Sequence, residues 1–209
     1  MADYSKPDHW SVKARNEGYP ARSVYKLKEM DEKFGLVRAG RPAFRAMDLG
    51  AAPGSWSLYV LRNLPAGTNV SLVSVDLAPL SRQYDAGLFD RPDFLFIQGD
   101  FTLGKVREEL LACGPYSLIL SDAAPATTGN RSLDTLRSLD LAETALGYAE
   151  AALAEGGNMA IKVFQGGEIG SLLKTMRGIF ASARGYKPLA CRSDSFETYY
   201  LGLGKKRGI

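Results

Sequence analysis

Met47-Asp48-Leu49-Gly50-Ala51-Ala52-Pro53-Gly54-Ser55-Trp56 is the stretch on which the reading of the fold turns. An apolar run, Phe44 to Leu49, reads as a strand that carries Asp48 near its end. A loop of small residues follows, and Ser55 stands where it would cap a helix with Leu58, Leu61 and Leu64 on its apolar face. Strand, glycine loop and helix is how a doubly wound α/β sheet opens its ligand crevice. Gly50 and Gly54 supply backbone angles closed to other residues and let a ligand approach the main chain. The free N–H groups of the first helical turn then favour an anionic group.

A second strand-like run, Val70 to Val75, ends in Asp76, where such folds place an acid on a ribose hydroxyl. The loop lacks the Gly-x-Gly-x-x-Gly spacing of dinucleotide folds, and Pro53 occupies a position that this pattern does not ask for. That speaks against NAD and for another nucleoside ligand. In S-adenosylmethionine the anion is a carboxylate, which one helix N-terminus suffices to hold.

At 209 residues the chain is read as one principal domain. The division expected is a helical extension over 1–41, an α/β domain over 42–204 and a basic tail over 205–209. No apolar run reaches the roughly 20 residues needed to span a bilayer. Met1 to Trp10 is polar, without a signal-peptide core, so the expected location is the cytoplasm, with no membrane partner. Two cysteines and one histidine give no ligand set for a structural metal, and none is expected. Charge is unevenly spread: residues 1–41 carry a net +3, residues 42–173 a net −6 and residues 174–209 a net +6. If the two ends meet in space they make a nucleic-acid footprint; the alternative is a solvated tail, Lys205-Lys206-Arg207.

Residues 4–41 read as helical, with Val24, Leu27, Met30 and Phe34 on one face, closed by Gly35 and Gly40-Arg41-Pro42. Strands are then expected at 43–49, 70–76, 93–98, 115–121 and 156–164. The helices between and after them are expected at 55–64, 104–112, 133–155 and 167–182. Runs such as Ser117-Leu118-Ile119-Leu120 suit a parallel sheet covered on both faces. Two last strands, near 186–192 and 198–204, have only a loop between them, which implies an antiparallel pair at the sheet's end. Asp122, Asp100 and Lys162 break apolar runs near the carboxyl ends of their strands, where ligands lie. A lysine inside such a run is costly unless paired, so Lys162 is either part of a site or half of an edge salt bridge with Asp122. Glu197 opens a strand that, if antiparallel, begins on that same edge.

These residues resemble the FtsJ/RrmJ family of S-adenosylmethionine-dependent RNA 2′-O-ribose methyltransferases, from about residue 10 to 204. The resemblance is carried by Gly18-Tyr19-Pro20-Ala21-Arg22-Ser23-Val24-Tyr25-Lys26-Leu27, by Asp48 to Trp56, by Ser121-Asp122-Ala123-Ala124-Pro125, by Ile161-Lys162-Val163-Phe164-Gln165-Gly166 and by Glu197-Thr198-Tyr199. It implies a catalytic tetrad at Lys26, Asp122, Lys162 and Glu197. It implies cofactor contacts at Gly50, Pro53, Gly54, Trp56, Asp76, Asp100 and Asp122. The fold implied is a Rossmann-like methyltransferase α/β sheet of seven mostly parallel strands with one antiparallel, helices on both faces and an N-terminal helical extension. The substrate implied is large-subunit ribosomal RNA, at a uridine, and the enzyme is expected to act as a monomer. A transfer-RNA anticodon-loop methyltransferase and a catalytically silent RNA- or nucleoside-binding module are the alternatives. Ser55 departs from a second glycine common in the family, and Ala126-Thr127-Thr128-Gly129-Asn130 departs from its usual asparagine-containing form.

Overall fold

Apolar strand runs alternate with amphipathic helices along most of this chain, and the computed structural model resolves the alternation into a seven-stranded sheet. It describes residues 8–37, 44–64, 71–166, 169–192 and 195–208. Two helices, α1 (His9–Asn16) and α2 (Val24–Phe34), come first. Then follow β1 (Arg45–Leu49), α3 (Ser55–Asn63), β2 (Ser71–Asp76), β3 (Phe94–Gln98), α4 (Gly104–Ala112) and β4 (Tyr116–Ser121). The chain ends with α5 (Arg131–Ala152), β5 (Leu153–Phe164), α6 (Ile169–Ile179), β6 (Phe180–Tyr186) and β7 (Glu197–Lys205).

The strand order is β3-β2-β1-β4-β5-β7-β6. β1 to β5 pair in parallel, and β7 lies antiparallel between β5 and β6. The order reverses between β1 and β4, so a crevice opens there at the carboxyl ends of the strands. Alternate side chains of each strand feed two cores. On one face, Ala46, Leu118, Leu120 and Ala160 meet Val24, Leu27 and Met30 of α2 and Leu58 and Leu61 of α3. On the other, Met47, Leu49, Ile119 and Met159 meet Ala145, Leu146 and Ala149 of α5 and Leu172 and Met176 of α6. Each of the larger side chains stabilises the fold by about 1.5–3 kcal/mol through burial, and each alanine by less. The α1–α2 extension thus shares a core with α3; the boundary expected at 41/42 lies outside the described residues, as do the closing Gly40-Arg41-Pro42 and the first residues of the elements expected from 4, 43, 70 and 167.

Three expectations need correction. Ser55 is not a cap: Gly54 holds the N-cap position without a side-chain bond, and Ser55 is the first helical residue. The Ser55 hydroxyl accepts from Ala21 N at 2.8 Å and donates to Ala21 O at 3.1 Å, which fastens α3 to the entry of α2. The sixth strand is Phe180–Tyr186 rather than 186–192, and α6 stops at Ile179. Its Ala-Ser-Ala-Arg-Gly run is poor in strand formers, and pairing with β7 decides its state. A Cβ on Gly202 would lie 2.5 Å from the Phe180 ring, so the bare backbone there admits that ring. Finally, the C-terminal lysines do not join the N-terminal segment at the site. β7 starts at the carboxyl edge and runs away from it, so Lys205 ends at the opposite edge. There Lys205 Nζ donates to Glu150 O and Leu153 O at 2.7 and 2.9 Å, and Lys206 Nζ to Arg177 O and Gly178 O at 2.8 and 2.9 Å. Both lysines satisfy the carbonyl ends of helices, where the macrodipole favours a cation.

Asp48, in the middle of the sheet, is fully buried. Its Oδ2 accepts from the Ser57 hydroxyl at 2.7 Å, and Ser57 lies 2.9 Å from the Ser74 hydroxyl. Its Oδ1 is buried with no hydrogen-bond partner among the described residues. Burial, opposed by the Ser57 bond, pushes this carboxyl up to about 7 from 3.8. The folded protein therefore keeps a proton that the unfolded chain releases, so this group's contribution to stability falls as pH rises from about 4 to about 7, by roughly 1.4 kcal/mol per pH unit. Asp48→Asn carries no such proton. Its melting temperature relative to the wild type should rise between about pH 5 and pH 8, measured by thermal melts across that range; a constant difference would mean that Asp48 is ionised in the fold.

Candidate active site

Three strand ends and one helix converge beside the crevice. β4 delivers Asp122 just past Ser121, β5 carries Lys162, β7 opens with Glu197, and α2 contributes Lys26. The antiparallel register sets Phe164 opposite Glu197 and Lys162 opposite Tyr199. The tetrad arrives as two ion pairs: Lys162 Nζ is 3.1 Å from Asp122 Oδ1, and Lys26 Nζ is 2.7 Å from Glu197 Oε1. Lys162 Nζ also donates to the Asp122 backbone carbonyl. All four side chains are at most 16% exposed, too dry for the weak pairing of surface charges.

Tyr199 joins the two pairs. Its hydroxyl donates to Asp122 Oδ1 at 2.6 Å, and its ring centroid is 5.9 Å from Lys26 Nζ and 5.8 Å from that of Trp56. Sequence reasoning gave it no role, although its spacing of two from Glu197 already put both on one face of β7. Burial foremost, then the Asp122 charge, raises the Tyr199 phenol far above its ordinary range, so it remains a donor. Burial alone would raise the Asp122 carboxyl, but Lys162, Lys26 and the Tyr199 hydroxyl outweigh it and hold that carboxyl below its usual value. Burial likewise opposes the charge on Lys26, and Asp122 and Glu197 overcome it, so its pKa is raised and it stays an ammonium.

A crevice of about 700 Å³ opens beside Asp122, lined by Gly50, Ala52, Asp76, Asp100 and the Ala123–Ala126 segment. Gly50 has φ 75°, and a Cβ there would lie 2.7 Å from Ala123, so only glycine lets the two loops touch. Asp76 clamps the loop, accepting from Ala52 N through Oδ2 at 2.9 Å and from Ala78 N through Oδ1 at 2.8 Å. Each oxygen keeps a second acceptor site. Asp100 Oδ1 accepts from Thr102 N and Oγ1 at 2.8 and 2.7 Å. Pro53, Gly54 and Trp56 are not among the lining residues. Trp56 is 2% exposed and donates its indole N–H to Ser23 O at 2.8 Å; a Cβ on Gly54 would meet the Phe89 ring at 2.9 Å. Pro53 O accepts from Ser81 N at 3.0 Å. In this structure these three side chains and glycine positions shape the loop. The crevice is lined by four carboxylates, Asp76, Asp100, Asp122 and Asp140, against one guanidinium, Arg137. A site so charged suits a ligand with positive groups and a sugar diol.

The described residues contain no helix long and apolar enough to cross a membrane. Comparison with known proteins agrees with the geometry. A curated relative from Treponema denticola, named ribosomal RNA large subunit methyltransferase E, is 49% identical over 203 residues, which covers 97% of each chain. A relative of the same name from Oleidesulfovibrio alaskensis is 39% identical, covering 95% of this chain and 92% of its own. In fold, the chain matches a solved ribosomal RNA methyltransferase from Plasmodium falciparum with a TM-score of 0.72 at 24% identity, over 90% of this chain and 98% of that one. The family model described as FtsJ-like methyltransferase matches residues 19–205, from the turn before α2 to the end of β7, and the chain belongs to that family.

Proposed function

We propose that the protein transfers a methyl group from S-adenosylmethionine to the 2′-oxygen of a ribose, that of a uridine, in large-subunit ribosomal RNA. The observation that carries this reading is the pair of buried ion pairs, Lys162–Asp122 and Lys26–Glu197, whose Asp122 lines the acidic crevice. The relatives' names supply the RNA, and a 2′-hydroxyl target requires RNA because DNA lacks that group. The reading has the enzyme act as a monomer in the cytoplasm.

The residues present fit the cofactor. S-adenosylmethionine supplies the methyl group as an electrophile on a positively charged sulfur. Asp76 would accept from the cofactor's ribose hydroxyls with its remaining acceptor sites, Asp100 would hold the adenosyl end, and Asp122 would offer negative charge to the cationic end. Lys162, held by both the carboxylate and the carbonyl of Asp122, orients the incoming 2′-oxygen and manages its charge and proton. Lys26 and Glu197 hold the nucleotide and keep each other's charge neutralised when no RNA is bound.

Asp76→Ala should weaken S-adenosylmethionine binding by about 1.5–3 kcal/mol, the scale of a charge-assisted hydrogen bond. Titration calorimetry checks this, and unchanged affinity would remove Asp76 from the cofactor site. Lys162→Ala should leave cofactor affinity nearly intact and lower single-turnover methyl transfer by about 100-fold or more. Lys162→Arg should not restore it, because a planar guanidinium does not reproduce a point ammonium between Asp122 and a hydroxyl. If Lys162 served only as an edge salt bridge, both variants would transfer methyl normally and only the alanine variant would melt early. The substrate reading is tested by labelled methyl transfer to large ribosomal subunits and to transfer RNA, with nucleoside mapping. Label in transfer RNA alone would overturn it.

A further inference from the structure

Asp48 stands one row of the sheet beneath the acidic crevice. By register, Asp48 of β1 lies between Ser74 of β2 and Leu120 of β4. Two residues further along, the same three segments reach Gly50, Asp76 and Asp122, and all three line the crevice. Residues two apart in a strand share a face, so the Asp48 carboxyl lies about 7 Å along the strand from that row. The row is fixed in place: Gly50 N and Ala51 N donate to Val75 O at 3.0 and 3.1 Å. Asp48 itself is fully buried, with one oxygen bonded to Ser57 and the other without a partner among the described residues.

The charges that act on Asp48 are negative. Asp122 comes from β4 and Asp76 from β2, while α3 offers the neutral hydroxyl of Ser57. Asp122 is held ionised by Lys162 and Lys26, so its charge persists at neutral pH. A bare buried oxygen and two nearby carboxylates favour a proton on Asp48. Burial foremost, opposed by the Ser57 bond and aided by Asp122 and Asp76, sets this carboxyl at about 7. Both of its forms are therefore populated at neutral pH, and a change of charge in the crevice shifts the balance between them. A cation beside Asp122 and Asp76 offsets the two charges that help to hold the proton on.

We infer that Asp48 discriminates the charged cofactor from its spent product: it releases its proton to solvent when a sulfonium enters the crevice and keeps it when a thioether does. The inference rests on the proposed methyl transfer and gives Asp48 a part in it. S-adenosylmethionine brings a positive sulfur, and S-adenosylhomocysteine, which remains once the methyl has gone, has a neutral one. An ionised Asp48 adds a further negative charge beneath the cation and strengthens cofactor binding. After transfer there is no sulfonium to attract, Asp48 takes a proton back from solvent, and the product is held less tightly than the cofactor that replaces it. Asp48 thus acts on specificity through the field in the crevice, without touching either ligand.

The test is calorimetric binding of S-adenosylmethionine and S-adenosylhomocysteine, without RNA, from pH 6 to pH 8. A cation lowers the Asp48 pKa, so the cofactor complex holds fewer protons than the free protein, and cofactor affinity gains as pH rises. Across that range the wild type should gain about 3- to 10-fold in preference for cofactor over product, relative to Asp48→Asn. Comparison with the variant removes the ligands' own amino groups, which titrate alike in both proteins. Ser57→Ala deletes the bond that favours the ionised carboxylate, so the midpoint of the gain should move to higher pH. If Asp48→Asn does not fold, wild-type titrations at pH 7 in buffers of different ionisation enthalpy decide the matter: the cofactor should release more protons than the product. Equal proton release by the two ligands, a preference that follows pH identically in wild type and Asp48→Asn, or a midpoint unmoved in Ser57→Ala would overturn the role of Asp48 and leave the methyl-transfer reading standing. Failure of the wild type to bind either compound would overturn that reading, and this inference with it.

Discussion

β7 runs against β5, and the chemistry of this protein depends on that reversal. Five parallel strands bring Asp76, Asp122 and Lys162 to one edge, as any doubly wound sheet would. A sixth parallel strand in the place of β7 would send its first residue to the far edge. Because β7 is antiparallel, its first residue, Glu197, lies beside Phe164, and Tyr199 lies beside Lys162. Four charges and a phenol thus share a nearly dry volume. Removing them from water costs several kcal/mol for each ion. The cost is offset only because each charge finds a partner: Lys162 two acceptors on Asp122, Asp122 a further donor in Tyr199, and Lys26 the carboxylate of Glu197.

The N-terminal helices complete this site rather than decorate it. Lys26 reaches Glu197 only because α2 packs on the same sheet face as α3. That packing is fixed by polar contacts as well as by apolar burial. Ser55 grips both backbone groups of Ala21, Trp56 donates to Ser23 O, and the Tyr59 hydroxyl donates to Asp31 Oδ2 at 2.8 Å. All three anchors lie in the first turns of α3, directly after the glycine loop beside the acidic crevice. The helix that follows that loop therefore also positions one member of the tetrad. A glycine in place of Ser55, as the family pattern has it, would have no hydroxyl for Ala21.

Charge is sorted across the loop after β4 in a way that the composition conceals. The net +3 of the chain is a small difference between large terms. Locally, four carboxylates and Arg137 lie on one side of the Thr128–Asp134 clasp, and Arg22, Lys26, Arg192 and Glu197 on the other. The basic C-terminal residues take no part in this. Lys205 and Lys206 are spent on the carbonyl ends of α5 and α6, at the far edge of the sheet.

Much of this was legible in the amino-acid order. Contiguous apolar runs marked the parallel strands, the glycine loop between Asp48 and Trp56 marked the crevice, and the family resemblance named the four residues that the fold brings into two ion pairs. These features are local, since a strand's burial and a loop's backbone freedom are written within a few residues. What the sequence did not determine depends on partners far away in the chain. β6 is a strand because β7 pairs with it, against its own weak propensity. Ser55 binds Ala21 rather than its own helix, the Asp48 carboxyl is pushed up because the sheet buries it, and Tyr199 joins the tetrad through register. Tertiary structure decided these points because a polar group's role is set by whichever donor, acceptor or charge the completed fold brings within about 3 Å of it.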